Sequence, residues 1–99
     1  MSHTTHLQLE DIDNAVLQRL CGALDNNLAT LGKALDIQIS RRFGNFTFMG
    51  SLAHAGRNAL LALAAVAEKG DVSDNDIRLA AVEAKTADEA FEAQTRDQQ

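Results

Sequence analysis

The amino-acid sequence predicts a small α+β domain in two layers, a three-stranded antiparallel sheet with helices gathered on one face. Three observations predict it. Short stretches alternate polar and apolar side chains, as half-buried strands do, and longer stretches place apolar residues three and four apart, as helices do. Between Leu20 and Phe48 the two patterns are joined through a helix break at Gly22 and a tight turn around Gly44.

Composition sets the bounds. A chain of 99 residues holds one modest core, and a hydrophobic content of 45% is too high for a disordered chain. The net charge of −5 counts against strong binding along a nucleic-acid backbone, although Asp88, Glu89, Glu92 and Asp97 in the final stretch inflate it. Cys21 is the only cysteine, which excludes an internal disulfide and a thiolate-built zinc site and agrees with a reducing cytoplasm. The first residues lack a basic segment followed by an apolar run, so no signal peptide is read there. The longest apolar run, Ala59 to Ala67, is far short of the ~20 residues that span a bilayer. The expectation is a soluble cytoplasmic domain with no membrane partner.

In chain order, residues 1–5 are polar and read as a disordered N-terminus. His6 to Glu10 alternate as a first strand. Asp11 or Asp13 then caps a helix whose apolar positions are Ile12, Val16, Leu17 and Leu20, and Gly22 ends it. A second helix runs from about Asp25, expected as its cap, to Leu35, with Leu28, Leu31 and Leu35 facing inward. Gly32 sits inside it at a cost of ~1 kcal/mol relative to alanine, which suggests the close approach of another element. Ile37 to Arg41 and Asn45 to Met49 alternate on either side of a short connection, so they form an antiparallel hairpin with Ile37, Ile39, Phe46 and Phe48 on its buried face.

Ser51 is expected to cap a long helix ending near Lys69, and Gly70 to stop it. Ser73 and Asp76 have the spacing of a capping box before a last helix to about Lys85, which carries Ile77, Ala81 and Ala84 on one narrow stripe. Residues 86–99 are polar and acidic apart from Phe91, and read as a tail or the start of a linker.

Residues that could carry chemistry are few. Gly32-Lys33 lacks both the upstream glycine and the following Thr or Ser of a phosphate-binding P-loop, since Asn27 and Ala34 stand there. His3 and His6 have no third ligand nearby in sequence, and His54 reads as a surface or rim residue. Cys21 near a helix start reads as a buried, inert thiol rather than a nucleophile. No cofactor is expected in this chain and no catalytic constellation emerges, so it is not read as an enzyme. The informative polar cluster is Arg41-Arg42 at the hairpin, with Lys33 and Arg19 on neighbouring helices. It could hold a nucleic-acid backbone, or it could be the solvated end of a strand pair balanced by Asp36 and Glu10.

The order strand, helix, helix, strand, strand, helix resembles that of a type I KH domain, a single-stranded nucleic-acid module whose GXXG loop joins its first two helices. The equivalent loop here is Gly22-Ala23-Leu24-Asp25, with its first glycine present, its last replaced by aspartate, and no Lys or Arg. More specifically, Leu20-Cys21-Gly22-Ala23-Leu24-Asp25-Asn26-Asn27-Leu28, Ile39 to Phe46, and Glu68 to Ser73 with Ile77-Arg78 resemble the N-terminal domain of bacterial PhoH-like, phosphate-starvation-inducible ATPases.

The resemblance covers residues 6–85, with an appended last helix, and leaves 86–99 as tail or linker. It departs from the family at Ser40, where Asn is common, and at Gly44-Asn45. It implies a KH-like accessory domain of an ATP-binding protein in RNA metabolism, with ATP and Mg belonging to a P-loop domain that is not in this chain. The implied partners are RNA, proteins of the RNA-processing or ribosome-associated machinery, and the ATPase domain itself. Two expectations follow. One is an interaction or assembly module using the long helix or the hairpin edge. The other is a single-stranded RNA-binding module in which Gly22, Ala23, Leu24 and Asp25 flank the strand while Lys33, Arg41 and Arg42 contact phosphates.

Overall fold

The computed structural model describes residues 3–97, with side chains as far as Glu89. Strand β1 (Thr4–Gln8) leads into helix α1 (Asn14–Cys21), a tight turn over Ala23–Asp25, and helix α2 (Asn26–Leu35). The hairpin β2 (Gln38–Arg42) and β3 (Asn45–Met49) follows, and then α3 (Ala53–Lys69) and α4 (Asp74–Asp97). The strands make one antiparallel sheet with β3 between β1 and β2, which is the α+β architecture that the sequence predicts.

Strand alternation sorts the sheet into two faces. Leu7 pairs with Phe46, Ile39 with Phe48 and Arg41 with Phe46, and Leu7, Phe46 and Phe48 are buried beneath the helices. The opposite face carries His6, Thr47 and Ser40 in one row and Gln8, Asn45 and Arg42 in the next. The helical side supplies Leu20, Leu28, Leu31, Leu35, Leu60 and Leu63, all buried, and each such side chain contributes roughly 1.5–3 kcal/mol. No polar or charged side chain is buried among the described residues, so the core stands on apolar packing alone.

Several boundaries differ from the sequence reading, each for a local reason. The first strand begins at Thr4, inside the stretch read as disordered, because β3 is long enough to pair Thr4 with Met49. It stops at Gln8, where its partner β3 begins at Asn45; Leu9 still donates its backbone N–H to the Gly44 carbonyl at the hairpin turn, and Asp11 then turns the chain with φ +62°. Asp13 caps α1 as expected, accepting from Ala15 N–H at 3.1 Å. Asp25 makes no capping bond to α2, since its own backbone lies in the left-handed region and carries the carboxylate away from the helix.

Ile37 is not in the strand. Its N–H closes the end of α2 on the Gly32 carbonyl, at 2.9 Å, and β2 starts at Gln38. Ser51 caps nothing, because α3 begins at Ala53 and the preceding turn closes on the Gly50 carbonyl. The Ser73–Asp76 box forms reciprocally: Asp76 N–H donates to Ser73 Oγ, and Ser73 N–H to Asp76 Oδ2. These bonds hold the Asp76 carboxyl below its usual range.

The last helix runs on to Asp97 rather than stopping near Lys85. The sequence offers no Gly or Pro after Gly70 to end it, and Ala, Glu and Gln dominate the stretch. Its stripe of Ile77, Ala80, Ala81 and Ala84 is buried where α4 lies across α3 and α2. The side chain of Phe91 falls outside the described residues, as do residues 1–2 and 98–99.

Candidate functional site

The turn between α1 and α2 and the tip of the β2–β3 hairpin meet at one end of the molecule. Gly22 ends α1 with φ +77° and ψ 177°, a conformation that glycine adopts without penalty. Its N–H closes α1 on the Gln18 carbonyl. Across the turn, Asn27 Nδ2 donates to the carbonyls of Arg19 and Leu20 at 3.2 and 3.1 Å, satisfying backbone acceptors that the end of α1 leaves open. The turn is therefore bracketed from both sides, and Leu24 and Asp25 are held in left-handed backbone at φ +53° and +57°.

That geometry places the two loop side chains in opposite situations. Leu24 projects fully into solvent, and so, largely, does Phe43 at the hairpin tip, which also has a left-handed backbone, at φ +56°. Asp25 instead faces the hairpin. Arg41 donates to Asp25 Oδ1 from Nε at 3.1 Å and from Nη2 at 2.9 Å, and its Nη1 donates to the Phe43 carbonyl at 2.9 Å. This is the one ion pair among the described residues. The carboxylate accepting from the guanidinium pushes the pKa of Arg41 above its ordinary value. Cys21, Gly22, Asp25, Arg41 and Phe43 line a hollow of about 270 Å³ at this junction. Burial pushes the Cys21 thiol up to about 11 against the pull of the nearby Arg41 charge, so it stays protonated near neutral pH.

A second, larger hollow of about 510 Å³ lies between α2 and the free edge of β2, floored by Leu28, Gly32 and Ile39 and rimmed by Lys33 and Asp36. Gly32 lets the chain that follows α2 fold back closely against the helix here. A Cβ there would stand 2.8 Å from the Ile37 carbonyl oxygen, the close approach that a glycine inside the helix suggests.

The four cations singled out in the sequence do not form one cluster. Arg19 is spent on α3, donating from Nε to the Ala67 carbonyl at 2.7 Å. Arg41 is spent on Asp25. Arg42 follows Arg41 in a strand and so lies on the other face of the sheet, in register with Asn45. Lys33 is exposed at the larger hollow, with Asp36 on the same rim. Of the loop residues, Gly22 and Asp25 line the smaller hollow, while Ala23 and Leu24 are exposed.

Sequence reasoning missed the bond between Asp25 and Arg41, because a pair sixteen positions apart is fixed only by the docking of hairpin on turn. The exposure of Leu24 and Phe43 had a signal, since neither belongs to an apolar stripe. No group of three or more His, Cys, Asp or Glu side chains suited to a metal ion occurs among the described residues. No helix among them is long and apolar enough to cross a membrane.

No family model matches the chain. Among solved structures it is similar to a protein of unknown function, APE0754 from Aeropyrum pernix, with a TM-score of 0.65 at 15% identity. The match covers 99% of this chain and 55% of that one, so this chain spans about half the length of its structural neighbour. The likeness is one of fold.

Proposed function

We propose that this chain is a non-catalytic interaction and assembly module on a KH-like scaffold, the accessory domain of a PhoH-like ATP-binding protein in cytoplasmic RNA metabolism. In this reading the ATP and Mg chemistry belongs to a separate domain. The module engages protein partners, namely that ATPase domain and components of the RNA-processing or ribosome-associated machinery. The resemblance of the sequence segments around Gly22, Arg41 and Gly70 supports the family. The order of the strands and helices, with the first helix pair joined by Gly22–Asp25, supports the KH-like scaffold.

One observation carries the choice of protein over nucleic acid: the basic side chains are dispersed. A phosphate backbone needs several cations aligned along its track, because its affinity comes from counterion release at each contact. Here Arg19 and Arg41 are already hydrogen-bonded within the chain, and Arg42 lies on the opposite sheet face. The net charge of −5 acts in the same direction. What the chain presents instead is an exposed leucine on the turn and an exposed phenylalanine at the hairpin tip, side chains suited to a protein contact.

The second reading, a single-stranded RNA-binding module, is favoured by the hollow between α2 and β2 with Lys33 at its rim. Amide chemical shifts of the labelled chain, followed while single-stranded RNA is added at low salt, separate the two. The interaction-module reading expects no cluster of shifts along Gly32 to Ser40 or at Gly22 to Asp25. A saturating cluster there establishes the RNA module in its place.

A further inference from the structure

Asp25 occupies the position from which an aspartate ordinarily caps a helix, yet it makes no side-chain bond to α2. Its carboxylate is committed to the strand. Two nitrogens of the Arg41 guanidinium, Nε and Nη2, converge on the single oxygen Oδ1. The third, Nη1, is tied to the Phe43 carbonyl, which fixes the plane of the group independently of Asp25. The paired edge of an arginine held this way is the arrangement that receives a phosphate oxygen. The first turn of α2 follows Asp25 directly and is uncapped by its side chain. The pair is open to solvent, with the Arg41 and Asp25 side chains 24% and 40% exposed.

We propose that Asp25 is the specificity-determining residue of this surface, an internal carboxylate seated where a phosphodiester oxygen would otherwise meet Arg41. The inference rests on the interaction-module reading and gives its physical cause. Besides the dispersal of the other cations, the anion position at this end of the molecule is filled by the chain's own carboxylate. The ion pair leaves the arginine edge with its charge balanced and two of its donors occupied, so a phosphate would have to displace the carboxylate. Asparagine in place of Asp25 removes the carboxylate's charge and leaves a weaker, neutral acceptor that a phosphate can displace, and glycine frees both donors outright, their direction still set by the Phe43 carbonyl.

The test is a gain of binding. Asp25→Asn keeps the shape of the side chain, and Asp25→Gly suits the left-handed backbone at φ +57°, so each checks the other for folding. Fluorescence anisotropy of a labelled oligouridylate is followed for wild type, both single variants and Asp25→Asn/Arg41→Ala, at low and moderate salt. The expected result is an affinity gain of about tenfold or more over wild type at low salt in both single variants, with a salt dependence steeper by about one contact. The gain is lost in the double variant. No gain in folded single variants overturns the assignment of Asp25 while leaving the interaction-module reading intact. A gain that survives Arg41→Ala also overturns it. Salt-sensitive binding by wild type itself overturns both.

Discussion

The Cδ1 atom of Ile37 lies where a methyl group on Gly56 would stand: a Cβ built on Gly56 falls 2.5 Å from it and 3.1 Å from Phe48 Cδ2. This contact joins α3 to the link between α2 and β2, and so fixes how closely the long helix approaches the sheet. The same isoleucine is confined from another side, because a Cβ on Gly50 would meet its Cγ2 at 2.8 Å. Ile37 therefore acts as a peg between glycines rather than as a strand residue.

Gly56→Ala is expected to destabilise the fold by roughly 1–3 kcal/mol through overpacking, despite the gain in helix propensity. Ile37→Val, which removes Cδ1, should cost about 0.5–1.5 kcal/mol alone. Urea unfolding of the two single variants and the double variant reads the coupling. The double variant should be more stable than the sum of the single effects predicts, and strict additivity would show that the two residues do not press on one another.

A second pair governs the turn. A Cβ on Gly22 would stand 2.8 Å from Asn27 Cγ, and Asn27 is the side chain that caps the Arg19 and Leu20 carbonyls. Gly22→Ala combines that collision with a left-handed φ and should cost about 1–3 kcal/mol. Asn27→Ala should cost about 1–3 kcal/mol by leaving those carbonyls without their donor. Thermal unfolding of both single variants and the double checks this. Truncating Asn27 clears the space beside residue 22, so the combined loss should be smaller than the sum.

Cys21 links the site to alkaline stability. Burial raises its pKa from an ordinary 9.0 to about 11 in the folded chain, so the folded state holds the proton more tightly than the unfolded one. The sign follows from that difference: the contribution is fully present below pH 9 and is lost as pH rises towards about 11. Denaturation midpoints measured across this window should fall in wild type more steeply than in Cys21→Ala. In the same molecule, alkylation of the native thiol near pH 8 should be slower than in urea-unfolded chain by roughly two orders of magnitude, following the thiolate fraction. Equal rates would mean that the thiol is not sheltered.

Much of the fold is legible in the sequence because it is local. The alternation in Asn45 to Met49, the leucines at 28, 31 and 35, the Asp13 cap and the Ser73–Asp76 box each depend on neighbours a few residues away. The misreadings arise where a distant element decides or where a local pattern gives no stop. Thr4 and Thr5 look too polar for a strand until β3 offers them partners, and the end of α4 depends on the absence of a breaker rather than on the presence of a pattern.

The candidate site shows the same divide. The loop Gly22–Asp25 and the cations Lys33, Arg41 and Arg42 are visible as residues, but their relation is not. Alternation alone places Arg41 and Arg42 on opposite faces, a consequence that the sequence holds and a view of them as one basic cluster overlooks. The capture of Arg41 by Asp25, and of Arg19 by the end of α3, depends on tertiary docking.

The most direct test of the interaction-module account is an equilibrium titration of labelled single-stranded RNA with the wild-type chain, at low and at moderate salt. The account predicts no saturable binding at either salt, with Arg41→Ala/Arg42→Ala indistinguishable from wild type. Binding that appears at low salt, weakens as salt is raised and disappears in the double variant would contradict it, and would make the surface beside Arg41 a working nucleic-acid site.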